Sequence, residues 1–292
     1  MELFRSLGAL LEAPREELRP AVQALELGDL PTSADHSALF LFRLYPYASV
    51  YLGPEGKLGG EARDRVAGFW RALDASPPTE PDHLTVLLAT YAELCERDAD
   101  SGNHNRLDNE RVGDSDSPWR RARSAFLWEH LLSWLPLYLQ ALKRADTNEL
   151  YHRWADLLWN ALEHETSALQ LPETLPLCLR EDPGLTDPRE HGLAPFLDAL
   201  LAPARTGFIL TADHLRNGAS QLGLGVRVGE RLFVLKGLFS QDAQGTLGYL
   251  RGLAESPLSS PWPAISEVWN RRRAQSAQLL AELEQDAAVL NF

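Results

Sequence analysis

Apolar residues recur at helical spacing along most of the chain. Leu3, Phe4, Leu7, Leu10 and Leu11 form one stripe, which Pro14 stops. A second short helix is expected over "REELRPAVQALEL", a third from Ser33 to about Tyr47, and a fourth after Gly60 in "GGEARDRVAGFWRAL". "DASPPTEP" is a break. Beyond it Leu84, Leu87, Leu88, Tyr91, Leu94 and Cys95 mark one face of an amphipathic helix, with Asp82 at the expected N-cap. The polar run Asp98 to Ser117 reads as a mobile loop. A long helix follows from about Trp119 to Leu142, which Pro136 should kink or split. The next runs from about Asn148 to Leu169 with Tyr151, Trp154, Ala155, Leu158 and Leu162 on one face.

From Leu171 to His191 the chain is rich in Pro and Asp, a candidate boundary between a helical region 1–170 and a helical extension 171–292 packed on it, unless the two form one continuous domain. "GVRVGERLFVL" fits either a hairpin turning at Gly229-Glu230 or a helix carrying Leu232, Leu235, Leu238 and Phe239, and the helix is favoured. Ile265, Val268, Trp269, Leu279, Leu280 and Leu283 keep helical spacing in a last segment. No repeat is visible. The fold class is all-α, a bundle of ten or more helices.

Composition narrows the partners. The 292 residues are 45% hydrophobic, enough for a sizeable core, and the net charge is −13. Nucleic-acid binding needs a cationic field, so cationic partners are favoured instead. The two cysteines, Cys95 and Cys178, lie among apolar neighbours at a separation that fits no zinc pattern, and read as buried small hydrophobes. "MELFRSLGALLEAP" has no basic flank before an apolar run, so it does not read as a secretory signal. No apolar stretch approaches the ~20 residues of a membrane span. The expectation is a cytoplasmic protein without stable membrane insertion.

The search for catalytic or metal chemistry returns little. "GPEGKLGG" fails as a phosphate loop, because Gly56-Lys57 is preceded at the required offset by Tyr51 and followed by Leu58. Glu129-His130 and Glu163-His164 are adjacent pairs that point to different faces, unlike the Glu-x-x-His pairs of di-iron bundles. His130, between Phe126 and Trp134 at four-residue spacing, reads as a hydrogen-bonded core histidine, and His164 as a surface residue near a helix end. No Gly-x-Ser-x-Gly occurs. Arg120-Arg121 and Arg271-Arg272-Arg273 read as solvated faces paired with the abundant acids. No cofactor and no metal site is expected.

Three segments then stand out in order: Tyr47-Ala-Ser-Val-Tyr51-Leu52-Gly-Pro54; Glu80-Pro81-Asp82-His83-Leu84 with the helix through Tyr91, Glu93 and Leu94; and Ala125-Phe126-Leu127-Trp128-Glu129-His130-Leu-Leu-Ser-Trp134-Leu-Pro136. In this order and spacing the chain resembles the TorD/DmsD/NarJ-like family of cytoplasmic chaperones for molybdenum enzymes. The stretch "APARTGFILTADHLRNGASQLGLGVRVGERLFVLKGL" is similar to the C-terminal extension of some TorD-like members. Two departures are Tyr51, where the family often has Phe, and Glu80-Pro81 abutting Asp82 directly.

The resemblance implies an all-α multi-helix bundle of the TorD-like chaperone type, with no catalysis of its own. It implies binding of the apo catalytic subunit of a molybdopterin-dependent oxidoreductase, as in DMSO reductase family assembly, and usually of that subunit's N-terminal twin-arginine signal peptide. The expected client-binding residues are Tyr47, Tyr51, Leu52, Pro54, Pro81, Asp82 and His83. Tyr47, Val50, Tyr51 and Pro54 share one side if the helix continues to Leu52, where Gly53-Pro54 stops it. Such a stripe suits a groove for an apolar peptide segment, and equally suits core packing. Asp82 is either a plain N-cap or also faces the ligand, with His83 on the same rim. The alternatives are an all-α nucleotide-binding or enzymatic protein with a site assembled from scattered residues, and a structural subunit of a mature complex. Monomer and homodimer both remain open.

Overall fold

The computed structural model describes residues 2–107 and 117–286. These are organised in α-helices joined by short 3₁₀ and π turns, and no strand forms among them. By contact the chain divides into two compact units. The first comprises residues 1–48 and 62–177, and the second residues 49–61 and 178–292.

In the first unit α1 (Glu2–Ala9), α2 (Arg19–Ala24) and α3 (Ser33–His36) follow the expected stripes. A capping box starts α3, with Thr32 and Asp35 exchanging side-chain and backbone bonds. The helix does not continue to Tyr47. It widens into a π turn over Ser37–Leu41, where Leu44 N–H reaches back to Leu39 C=O at 2.8 Å, and ends there. Pro46 accounts for the stop, since the residue before a proline is pushed out of the helical region. α4 (Ala48–Leu52) belongs, but for its first residue, to the second unit; the first continues with α5 (Gly60–Ala72) and α6 (Leu84–Leu107). Residues 98–107, expected in a loop, therefore continue the helix; the rest of that expectation, 108–116, lies outside the described residues.

The predicted long helix is split as Pro136 requires. α7 (Pro118–Phe126) passes into a π turn over Leu127–Leu131, and α8 (Leu135–Arg144) restarts with the proline in its first turn, where its missing N–H costs nothing. α9 (Glu149–Ala168) is capped by Asn148 and buries the predicted face of Tyr151, Trp154, Ala155, Leu158 and Leu162. α6 packs against α1 and α7, and α8 against α9. Trp154 donates its indole N–H to Leu7 C=O at 2.9 Å, tying α9 to α1.

The second unit holds α10 (Leu177–Arg180), α11 (Pro188–His191), α12 (Leu193–Leu200), α13 (Pro203–Thr206), α14 (Ala212–Leu222), α15 (Arg231–Gln241), α16 (Ala243–Ala254) and α17 (Pro263–Asp286). The ambiguous "GVRVGERLFVL" thus resolves into a loop followed by a helix. Phe196, Leu200, Leu235, Phe239, Leu247, Leu250 and Leu280 form its core. Gly207, at φ +78°, ends α13 where a Cβ would lie 2.5 Å from Arg273 N, so only glycine permits this approach to α17.

The arginine triplet on α17 corrects the sequence reading. Arg271 is an exposed residue paired with Asp182 at 3.6 Å, but Arg272 and Arg273 are 1% and 6% exposed. Their partners are backbone carbonyls: Arg272 Nη2 donates to Cys178 at 2.9 Å and to Glu181 at 2.6 Å, and Arg273 Nη1 donates to Leu253 at 3.2 Å and to Ser256. Loop and helix-end carbonyls supply the acceptors that make such burial tolerable. Burial lowers the pKa of Arg272 from the usual guanidinium value.

Candidate functional site

Two prolines shape the candidate site. A proline disfavours helix at the residue before it, and the segments of Pro46 and Pro81 lie side by side in the first unit as an isolated antiparallel bridge between Tyr47 and His83. Ala48 N–H donates to Asp82 C=O at 3.0 Å, and Leu84 N–H to Pro46 C=O at 2.8 Å. Residues 36 positions apart in sequence are thereby fixed in register at the start of α6.

The side chains follow from that register. The Tyr47 and His83 rings meet edge to face, with centroids 4.7 Å apart. The Tyr47 hydroxyl donates to Glu80 Oε2 at 3.1 Å, and burial together with this bond pushes the phenol up to about 12. His83 occupies the N-cap of α6, where its Nδ1 accepts from Thr85 N–H at 3.2 Å. The cap expected of Asp82 therefore comes from the next residue. An accepting Nδ1 places the ring proton on Nε2 in the neutral form. Burial lowers the His83 pKa against the opposing pull of Glu12, Glu80 and Asp82.

Pro81 and Asp82 are buried, Tyr47 and His83 half-buried, and Glu80 exposed. Carboxylates dominate the local field: Glu80, Asp82 and Glu12 all act on Tyr47 and on His83. Leu41 and Phe42, shortly before the bridge in sequence, stay exposed.

The remaining expected site residues belong to the second unit. Tyr51 is 1% and Leu52 8% exposed, so neither offers a surface to a ligand in this conformation, while Pro54 is half-buried. The turn that follows is clamped. Arg205 Nε donates to Pro54 C=O at 2.8 Å, and Gly59 N–H donates to Ser49 Oγ at 3.1 Å. Gly56, at φ +61°, packs so closely that a Cβ would lie 2.7 Å from Ala202 Cα. The glycines of "GPEGKLGG" thus include one required by packing rather than by a phosphate.

A polar cluster that the sequence did not reveal ties α6, α7 and α9 together. Arg123 bonds Glu165 through Nη2 and Asp98 through Nη1 at 3.1 Å, and the Tyr91 hydroxyl also donates to Glu165. Burial pushes the nearby Cys95 thiol up to about 11, as expected of an inert core cysteine. His130 is buried with its ring edge-on to Phe126 and Phe69, and burial pulls it down to about 4. His164 is exposed near the end of α9. Among the described residues no group of His, Cys, Asp and Glu could hold a metal ion, and no helix is long and apolar enough to cross a membrane.

Comparison with known proteins places these segments. Residues 6–140 match the family described as "Nitrate reductase delta subunit", a stretch that contains the Tyr47–His83 bridge and both prolines; α10 to α17 lie beyond it. The chain is 28% identical over 161 residues to the chaperone protein TorD of Vibrio parahaemolyticus, covering 49% of this chain and 71% of that protein. To TorD of Shewanella pealeana it is 25% identical over 156 residues, 48% of this chain and 62% of the relative. To TorD of Vibrio vulnificus it is 27% identical over 176 residues, 54% and 77%. Over this stretch, on a helical frame that carries the same segments, the chain is similar to the TorD-like family of molybdoenzyme maturation chaperones, and these relatives are named as chaperones.

Proposed function

We propose that this protein binds the apo catalytic subunit of a molybdopterin-dependent oxidoreductase in the cytoplasm and holds it for cofactor insertion. The contact includes the client's N-terminal twin-arginine signal peptide, taken up at the Tyr47–His83 bridge. The carrying observation is that bridge itself: two segments that single out the family meet there as a half-buried aromatic pair in a field of Glu12, Glu80 and Asp82. Guanidinium groups of a signal peptide would find carboxylates, and its apolar segment would find the ring faces and the exposed Leu41 and Phe42. Tyr51, Leu52 and Pro54 support the adjoining turn.

The test is titration with a labelled client N-terminal peptide and with the same peptide carrying Lys-Lys or Gln-Gln for Arg-Arg. Glu80→Gln, at the exposed carboxylate, and His83→Ala should weaken binding while moving the melting temperature by no more than a degree or two. Affinity should fall with rising salt without vanishing, because exposed charge attraction is screened over ~8 Å at physiological ionic strength. Equal affinity for wild type and both variants, at all salt concentrations, would move the client site elsewhere. Co-purification of the apo subunit, but not of the cofactor-loaded enzyme, separates a departing chaperone from a permanent subunit.

A further inference from the structure

The second unit carries a groove that the family match does not reach. It lies between the loop Gly225–Glu230 and α15, has a volume of about 650 Å³, and is lined by Val226, Arg227, Phe233, Val234 and Lys236 among others. The loop is anchored at one end. Gln241 Oε1 accepts from Gly225 N–H and Gln241 Nε2 donates to Gly225 C=O, both at 2.9 Å, so one side-chain amide binds the loop as a neighbouring strand would. Past that anchor the backbone of Val226 to Gly229 makes no hydrogen bond among the described residues.

The surface here is apolar and cationic. Val228 is 104% exposed, Phe233 51% and Val226 40%. Phe233 lies over Gly229, where a Cβ would approach its ring to 2.8 Å. Arg189, Arg216 and Arg251 of the same unit are ion-paired, whereas Arg227 and Lys236 pair with no carboxylate among the described residues. From Leu224 to Gln241 three cations face a single acid, Glu230, in a chain of net charge −13.

We propose that this groove docks a short extended segment of a partner protein in which acidic residues alternate with apolar ones. Alternation follows from the surface: apolar side chains enter between Val226 and Phe233 and against Val228 exposed on the loop outside the groove, carboxylates meet Arg227 and Lys236, and the backbone pairs with the unbonded groups of Val226–Gly229. The length follows from α15, whose eleven residues span about 16 Å, the reach of about five extended residues. Charge argues against a second copy docked symmetrically, which would set Arg227 and Lys236 against themselves. A twin-arginine signal peptide is disfavoured for the same reason, so this surface is separate from the Tyr47–His83 site.

The probe is a fluorescent eight-residue peptide alternating valine and phenylalanine with glutamate and aspartate, beside a counterpart with lysine at every acidic position. Fluorescence anisotropy against the full chain should show the acidic peptide bound and the lysine peptide at least about tenfold weaker. R227E/K236E should reverse that order. V228S/F233S should weaken the acidic peptide at least about tenfold, the effect of losing one interface anchor, with an unchanged melting curve. No binding of the acidic peptide at millimolar concentration, equal binding of the two peptides, or binding indifferent to both variants would overturn the proposal. So would a concentration-dependent dimer that V228S/F233S dissociates, since the occupant would then be a second copy of this chain.

Discussion

Replacing Glu165 with alanine tests how much of the first unit's stability depends on the polar cluster joining α6, α7 and α9. The Arg123, Glu165 and Asp98 side chains are 16%, 15% and 11% exposed, so the pairs are largely removed from water. Two unit charges 4 Å apart attract by about 4 kcal/mol at an effective permittivity near 20. Glu165→Ala removes that attraction, though Asp98 still neutralises part of the Arg123 charge. It also deprives the Tyr91 hydroxyl of its acceptor, and an unsatisfied buried donor costs about 1–3 kcal/mol. Release of the carboxylate's own desolvation cost offsets some of both. The net expectation is a loss of about 3 kcal/mol, at the low end of the range for breaking a buried pair. Glu165→Gln keeps an acceptor for Tyr91 and should lose about 1–2 kcal/mol. Urea unfolding followed by tryptophan fluorescence and by far-ultraviolet circular dichroism reads these values and checks that the transitions coincide. Arg123→Met combined with Glu165→Leu should recover most of the loss, as apolar replacements of buried pairs do. A loss below about 1 kcal/mol for Glu165→Ala, or a double variant no better than either single one, would refute the reasoning.

Tyr51→Ala should cost about 3–5 kcal/mol, since the ring is 1% exposed, and denaturation paired with client-peptide affinity shows whether the change acts through folding alone. His130, held down to about 4 by burial, is neutral in the folded protein at pH values where the unfolded chain would bind a proton. Its contribution is complete above about pH 6.5 and is lost as pH falls toward about 4, on the order of 3 kcal/mol, so His130→Phe should flatten the acid limb of a stability–pH profile. Gly56→Ala should destabilise by at least about 2 kcal/mol, from a left-handed φ of +61° and a Cβ 2.7 Å from Ala202 Cα; an unchanged urea midpoint would show that the turn can shift.

Apolar periodicity determined the helices because a helix needs only its own residues to declare its buried face. The stripes of α1, α9 and α17, the split at Pro136 and the helix after Glu230 were all legible for that local reason. So were the buried cysteines and the segments that carry the resemblance. The charged continuation of α6 over residues 98–107 was not, since without an apolar stripe a polar helix and a polar loop read alike. Nor were the π turns at Ser37–Leu41 and Leu127–Leu131.

Tertiary structure alone decided the contacts between distant residues. Three consecutive arginines resemble a solvated face until the carbonyls of Cys178, Glu181, Leu253 and Ser256 are brought to two of them. Arg123 of α7 and Glu165 of α9 meet, with Tyr91 and Asp98 of α6 beside them, only in the folded chain, which no spacing in the sequence encodes. The same holds for the candidate site: the sequence marked Tyr47 and His83, but only the bridge between them made His83 the cap, enclosed Asp82 and left an aromatic pair half open in a field of carboxylates. Helices are specified by neighbours in sequence, whereas burial and electrostatics depend on neighbours in space.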